Sequence, residues 1–222
     1  MGECLAREKR KRMPLMDSER PEATYAARLL EQQDNLQAEA NRLVEQLDLP
    51  TMLGGAGRFE RLGSSVSGLM VWRDLDLGAS CGWLSPERAW ETMAPLAAHP
   101  RTTRVEYRNE TRRLAPPELQ GHGRYYFVAR HETEAGDEWK IDVSLWTPES
   151  PRGPLTHAKE LRRRLTPETR LAILCIKNVW HRRPYYPDRV SGMDIYDAVL
   201  EHGVRTPEQF GRYLRGRGLP EA

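Results

Sequence analysis

From Val71 to Leu77 the chain alternates apolar and polar residues, and two of the polar positions are aspartates, Asp74 and Asp76. A strand has a side-chain period of two, so both carboxylates lie on one face of it while Leu75 and Leu77 lie on the other. Two like charges held that close raise each other's energy unless a cation stands beside them. A hard divalent cation is one solution, since Mg²⁺ takes oxygen ligands from a few carboxylates. Pairing with Arg73 or another of the many arginines is the other.

Two further segments bear on that choice. Ahead of the aspartates lies Gly63-Ser64-Ser65-Val66-Ser67-Gly68, whose glycines and serines mark a turn. Far behind them Trp139–Trp146 alternates again, with Ile141, Val143 and Leu145 on one face and Lys140, Asp142 and Ser144 on the other. A strand beside the first would bring Asp142 to the Asp74–Asp76 pair. Phe59–Leu62, Arg104–Tyr107 and Tyr125–Ala129 also read as strands.

Helical signals flank these strands. From Pro21 to Leu47 apolar residues recur at helical spacing (Leu29, Leu36, Ala40, Leu43), and Leu49-Pro50 with the glycines 54–57 is expected to end that helix. Ser85-Pro86-Glu87, Thr166-Pro167-Glu168 and Thr206-Pro207-Glu208 each place a capping hydroxyl before a proline in the first helical position. Met193–Leu200 reads as a further helix. The order is helix, mixed strands and helices, then an all-helical end, which predicts an α+β fold and excludes βαβ alternation. We divide the chain into a disordered basic arm (1–20), a core with a long amino-terminal helix (21–150) and a helical domain (151–222).

Composition narrows the function classes. No apolar run approaches the ~20 residues of a membrane span, and the charged start lacks the apolar stretch of a secretory signal. Cys4, Cys81 and Cys175 are odd in number and scattered, which argues against a disulfide framework and for a cytoplasmic protein with reduced thiols. The six histidines show no zinc spacing. The formal charge of +2 divides into +3 for residues 1–12, −7 for 13–150 and +6 for 151–222. An anionic ligand between acidic and basic surfaces would account for that division, and a solvated arginine-rich surface accounts for the arginines. Arg101, Arg104, Arg108, Arg112 and Arg113 fit either a phosphate site or a solvated face. Tyr185 and Tyr186 fit either an acceptor pocket or turn packing.

Taken in order, Leu62-Gly63-Ser64, Gly68, Asp74-Leu75-Asp76-Leu77 and Ile141-Asp142-Val143 resemble the nucleotidyltransferase superfamily with the DNA-polymerase-β-type fold. The resemblance covers roughly residues 58–146. A looser one covers 166–181, where Leu171–Trp180 is similar to the helix after the catalytic sheet in poly(A)-polymerase-like members, with Lys177 near the nucleotide phosphates. The plain alternative for Lys177 is a side chain that snorkels from a buried helix to solvent.

The resemblance implies an enzyme that moves an NMP group from an NTP to a hydroxyl and releases pyrophosphate. It assigns Asp74, Asp76 and Asp142 to two Mg²⁺ ions, Gly63 and Ser64 to the triphosphate, and Lys177 to the phosphates from the other side. The compact helical end favours a small-molecule acceptor. An RNA- or protein-modifying enzyme of toxin type, or a catalytically silent nucleotide-binding module, are the alternatives.

Overall fold

The structure, a computed structural model, describes residues 23–111, 123–148 and 154–220. The proposed basic arm lies outside them, as do Arg112 and Arg113.

The chain opens with α1 (Ala23–Gln46), whose Leu29, Leu36, Ala40 and Leu43 are buried as the spacing predicts. Leu49-Pro50 does not end helical structure here. Asp48 takes a left-handed conformation (φ 46°) that breaks α1, and α2 (Leu49–Gly54) starts at once with Pro50 in its first turn. Proline suits that position because the N–H it lacks has no helical partner there. Leu49 and Leu53 are then fully buried.

Five strands follow, with helices between: β1 (Arg58–Arg61), α3 (Ser64–Ser67), β2 (Asp74–Ser80), α4 (Pro86–Ala97), β3 (Thr102–Glu110), β4 (Arg124–Glu132) and β5 (Glu138–Trp146). They form one sheet in the order β1-β2-β5-β4-β3, in which only the β2–β5 pair is parallel. β2 begins three residues later than the alternation suggests. Val71 turns away to join a second core, and Gln32 donates a hydrogen bond to its carbonyl at 2.8 Å.

The helical end comprises α5 (Pro154–Arg164), α6 (Pro167–Trp180), α7 (Gly192–Glu201) and α8 (Pro207–Gly216). The Ser85, Thr166 and Thr206 hydroxyls accept from the backbone N–H groups of Arg88, Thr169 and Gln209, so all three cap signals hold. α5 is not anticipated by the sequence pattern. It buries only Ala158 and Leu161 among its described side chains, and Arg162, Arg163 and Arg164 crowd its last turn.

Two apolar cores result. In the first, α1, α2 and α4 cover the sheet face that carries Leu75, Leu77, Phe127, Ile141, Val143 and Leu145. In the second, Leu69 and Val71 from the α3–β2 link pack with Leu161 of α5, Ile173 and Ile176 of α6, Ile195 of α7 and Phe210 of α8. The opposite sheet face, where Asp74, Asp76 and Asp142 lie, turns toward this helical end. Tyr186 packs against the second core, and the Arg189 guanidinium lies 5.5 Å from the Tyr185 ring. Among the described residues no helix is long and apolar enough to cross a membrane.

Ile141 is fully buried directly behind the carboxylate face. Truncation to Ala leaves a cavity that the fixed sheet cannot close, so Ile141→Ala is expected to cost about 2–5 kcal/mol in urea unfolding. A loss below about 1 kcal/mol would show that the sheet is not packed as described.

Candidate functional site

The register of the one parallel pair builds the site. Asp76 stands opposite Asp142, and Asp74 opposite Lys140, so four charged side chains share one face of two adjacent strands. Lys140 Nζ donates to Asp142 Oδ2 at 2.6 Å and to Asp74 Oδ1 at 3.1 Å. The Tyr126 hydroxyl, from β4, donates to the same Asp142 Oδ2 at 2.5 Å. Asp142 Oδ1 is buried and has no hydrogen-bond partner. An unpartnered carboxylate oxygen in a buried setting is costly. Arg73 does not serve as counter-ion to the pair: it binds Glu39 and Asp137.

Burial raises the pKa of Asp74, and the nearby Lys140 ammonium only partly offsets it. Burial, reinforced by the carboxylates of Asp74 and Asp142, pushes Asp76 up to about 7. For Lys140 burial acts to lower the pKa, but Asp74 and Asp142 outweigh it and the net shift is upward. Tyr126 is raised by burial and by the adjacent Asp142 carboxylate, so it stays a hydrogen-bond donor at any ordinary pH.

Gly63 brings a backbone turn against this cluster. Its φ of 59° lies in the region that side chains avoid, and a Cβ there would collide with the Asp76 carboxylate. Gly63 caps α3, and Ser64 is the first residue of that helical turn, where N–H groups lack partners within the helix. Gly68, also at positive φ (72°), closes the turn.

Lys177 does not snorkel to solvent. It is buried in α6, and its Nζ donates to the Leu69 carbonyl at 2.8 Å and to the Tyr196 hydroxyl at 3.5 Å. It therefore joins the α3–β2 link to α7, and its charge lowers the pKa of both Asp74 and Asp76 against their burial. The structure thus gathers Asp74, Asp76, Asp142, Gly63 and Ser64 at one place, with Lys177 behind the aspartates on the helical side.

A cavity of about 420 Å³ opens over the cluster, lined by Gly63, Asp76 and Asp142 on one side and by Ala158, Met193 and Tyr196 on the other. Its wall includes Arg124, which pairs with buried Glu110 at 2.6 Å, donates to Ser144 Oγ at 2.9 Å and lies 4.3 Å from the Tyr126 ring. Sequence reasoning did not single out Tyr126, Arg124 or Tyr196. Only cross-strand register and the fold of the helical end bring them to the cavity. Of the arginine series, Arg101 pairs with Glu134, Arg104 with Glu106, and Arg108 lies over the outer side of Tyr126.

The all-oxygen donor set, the net negative charge and the orphaned Asp142 Oδ1 fit a hard divalent cation. Among the described residues no three acidic, histidine or cysteine side chains already converge as a metal cage. Lys140 stands between two of the three carboxylates.

No protein-family model and no curated protein matches the chain in sequence. Solved structures do match it in fold. The Cid1 poly(U) polymerase bound to MgGTP superposes with a TM-score of 0.55 at 16% identity, over 81% of this chain and 56% of that one. Cid1 in complex with its short product ApU gives 0.57 at 14% identity, over 81% and 53%. CdnC of E. coli MS115-1, in complex with a HORMA protein, gives 0.50 at 15%, over 86% and 70%. The chain has the nucleotidyltransferase fold. It spans little more than half the length of the Cid1 chains. The mixed sheet of this nucleotidyltransferase fold carries the three aspartates on the face turned toward the helical end, and the α+β class expected from the sequence holds.

A folded-state pKa near 7 for Asp76, against about 3.9 in an unfolded chain, means that the folded protein binds the extra proton between those values. Stability from this group is therefore present at low pH and lost as pH rises toward 7. In EDTA, Asp76→Asn is expected to melt higher than wild type at pH 8, by about 2–4 °C for each kcal/mol recovered. The difference should shrink toward pH 5. A variant that melts lower than wild type at pH 8 would refute the strained-carboxylate description.

Proposed function

We propose that this protein is a Mg²⁺-dependent nucleotidyltransferase that moves an NMP group from an NTP to a hydroxyl and releases pyrophosphate. The observation that carries this reading is the juxtaposition of Asp76 and Asp142 across β2 and β5, with Asp74 on the same face and Gly63 packed against Asp76. A carboxylate triad beside a tight glycine turn offers cation ligands and phosphate-binding N–H groups at one point.

In this reading Asp74, Asp76 and Asp142 hold two Mg²⁺ ions. When bound, the ions lower the pKa of the attacking hydroxyl and offset charge on the leaving pyrophosphate. The backbone N–H groups at Gly63 and Ser64, at the start of α3 where no helical partner takes them, receive the triphosphate. Lys177 presents a fixed positive charge from the helical side. Tyr126 and Lys140 hold one oxygen of Asp142, which leaves the buried Oδ1 without a partner and available to a cation. The helices α5 and α7 close the cleft through Ala158, Leu161, Met193 and Tyr196.

The acceptor in this proposal is a small molecule, because a cavity of about 420 Å³ is within the range of small-ligand sites. An RNA end is the second reading. It is favoured by the likeness to a poly(U) polymerase and by a groove of about 730 Å³ beside Trp72 that carries Arg28 and Arg182, while its Arg73 and Arg130 are paired with Glu39 and Glu138. A cytoplasmic setting suits both, since NTPs and Mg²⁺ are supplied there.

The test is incubation with Mg²⁺, each of the four NTPs, and either small hydroxyl compounds or RNA, followed by pyrophosphate release and product mass. Asp74→Asn and Asp76→Asn are expected to reduce transfer to background while the far-ultraviolet circular dichroism stays that of wild type. Lys177→Ala is expected chiefly to raise the KM for NTP. Wild-type turnover in either aspartate variant would overturn the assignment, and labelled RNA product would favour the second reading over the first.

A further inference from the structure

One side chain in the cluster is neither a cation ligand nor a phosphate group's neighbour. Lys140 lies on β5 opposite Asp74 and two residues before Asp142, and β-strand parity turns it to the carboxylate face. Its side chain is 17% exposed, and its Nζ lies within hydrogen-bond reach of one oxygen from each strand. Those oxygens, Asp74 Oδ1 and Asp142 Oδ2, come one from β2 and one from β5, so a cation that used both would take the place of Nζ. Mg²⁺ needs oxygens at about 2.0–2.1 Å, and Nζ at 2.6 and 3.1 Å fills the same space. Like charges at that separation repel strongly when they are partly buried.

Lys140 also has somewhere else to go. Its Nζ is 5.7 Å from the Trp72 ring, inside the range in which an indole face attracts an ammonium. A flexible four-carbon stem can turn from the carboxylates to the indole without moving the backbone.

We propose that Lys140 is a built-in competitor for the divalent cation: it keeps Asp74 and Asp142 together and yields its place when the cation binds. This rests on the nucleotidyltransferase reading, which makes those aspartates the cation's ligands. The consequence is an order of loading. A bare dication must displace an ammonium and adds two positive charges to the cluster. A dication carried by a triphosphate brings net negative charge, which compensates the displaced Lys140. Free cation therefore binds weakly, and cation with NTP binds well.

The experiment is a Mn²⁺ titration of the full chain without nucleotide, with free Mn²⁺ read by electron paramagnetic resonance. Lys140→Met is expected to bind Mn²⁺ at least about tenfold more tightly than wild type, and Lys140→Arg to restore weak binding. Equal or weaker binding by Lys140→Met overturns the proposal. Should Lys140→Met not fold, wild type serves in its place: acetylation of Lys140, read by peptide mass spectrometry, is expected to rise with Mn²⁺ while that of Lys159 stays constant. Unchanged protection of Lys140 at saturating Mn²⁺ overturns the proposal equally. Asp76→Asn separates the two layers of argument. If it weakens Mn²⁺ binding and Lys140→Met has no effect, only the competitor falls; if neither substitution changes Mn²⁺ binding, the nucleotidyltransferase reading falls with it.

Discussion

Three carboxylates on two adjacent strands repel one another, and the rest of the molecule is arranged around that repulsion. The parallel β2–β5 register sets Asp76 against Asp142. No backbone adjustment relieves this, since a shift of one residue would send the whole apolar set of Leu75, Leu77, Ile141 and Val143 out of the first core. The hydrophobic burial on one face of the sheet thus holds the electrostatic cost on the other. Lys140, Tyr126 and Lys177 lessen that cost without removing it, as the raised pKa of Asp76 records.

How much of this was legible depended on whether the information is local. The shared face of Asp74 and Asp76 follows from a period of two within one strand, and the three helix starts follow from a hydroxyl and a proline side by side. Both are properties of a few consecutive residues. That Asp142 would join the pair could be guessed from its own strand pattern, but not that it would face Asp76 or that Lys140 would face Asp74. Register is decided by packing across the sheet, so Tyr126 and Arg124 carried no local signal of their position. α5 was missed for a related reason. Its apolar stripe is nearly absent, and what holds it is a contact with the second core through Ala158 and Leu161.

Of the two readings that the sequence leaves open for Lys177, burial removes the snorkelling one. An isolated lysine in an apolar helix suggests a stem buried and a head in water. The head is instead enclosed, because the Leu69 carbonyl and the Tyr196 hydroxyl supply the hydrogen bonds that solvent would have given. Its partners come from the α3–β2 link and from α7, so the same ammonium that offsets Asp74 and Asp76 also couples the sheet to the helical end. Stability and site chemistry meet in one side chain.

The charge division along the chain points the same way once its members are placed. Several arginines of residues 151–222 are paired at the surface: Arg164 with Glu201 and Arg205 with Glu168 inside the segment, while Arg170 reaches back to Asp34. These arginines do not face the carboxylates. Among the described residues, the cations on that side are Arg124, which is tied to Glu110 and Ser144, and Lys140 and Lys177, two of the five lysines in a chain that holds 29 arginines. Guanidinium is a planar fork that fixes its partners, whereas an ammonium on a flexible stem is a compact charge that can trade one oxygen for another. Lys140, which bonds Asp74 and Asp142, is of the second kind, whereas the Lys177 ammonium is held by the Leu69 carbonyl and the Tyr196 hydroxyl and acts on the aspartates only through its charge.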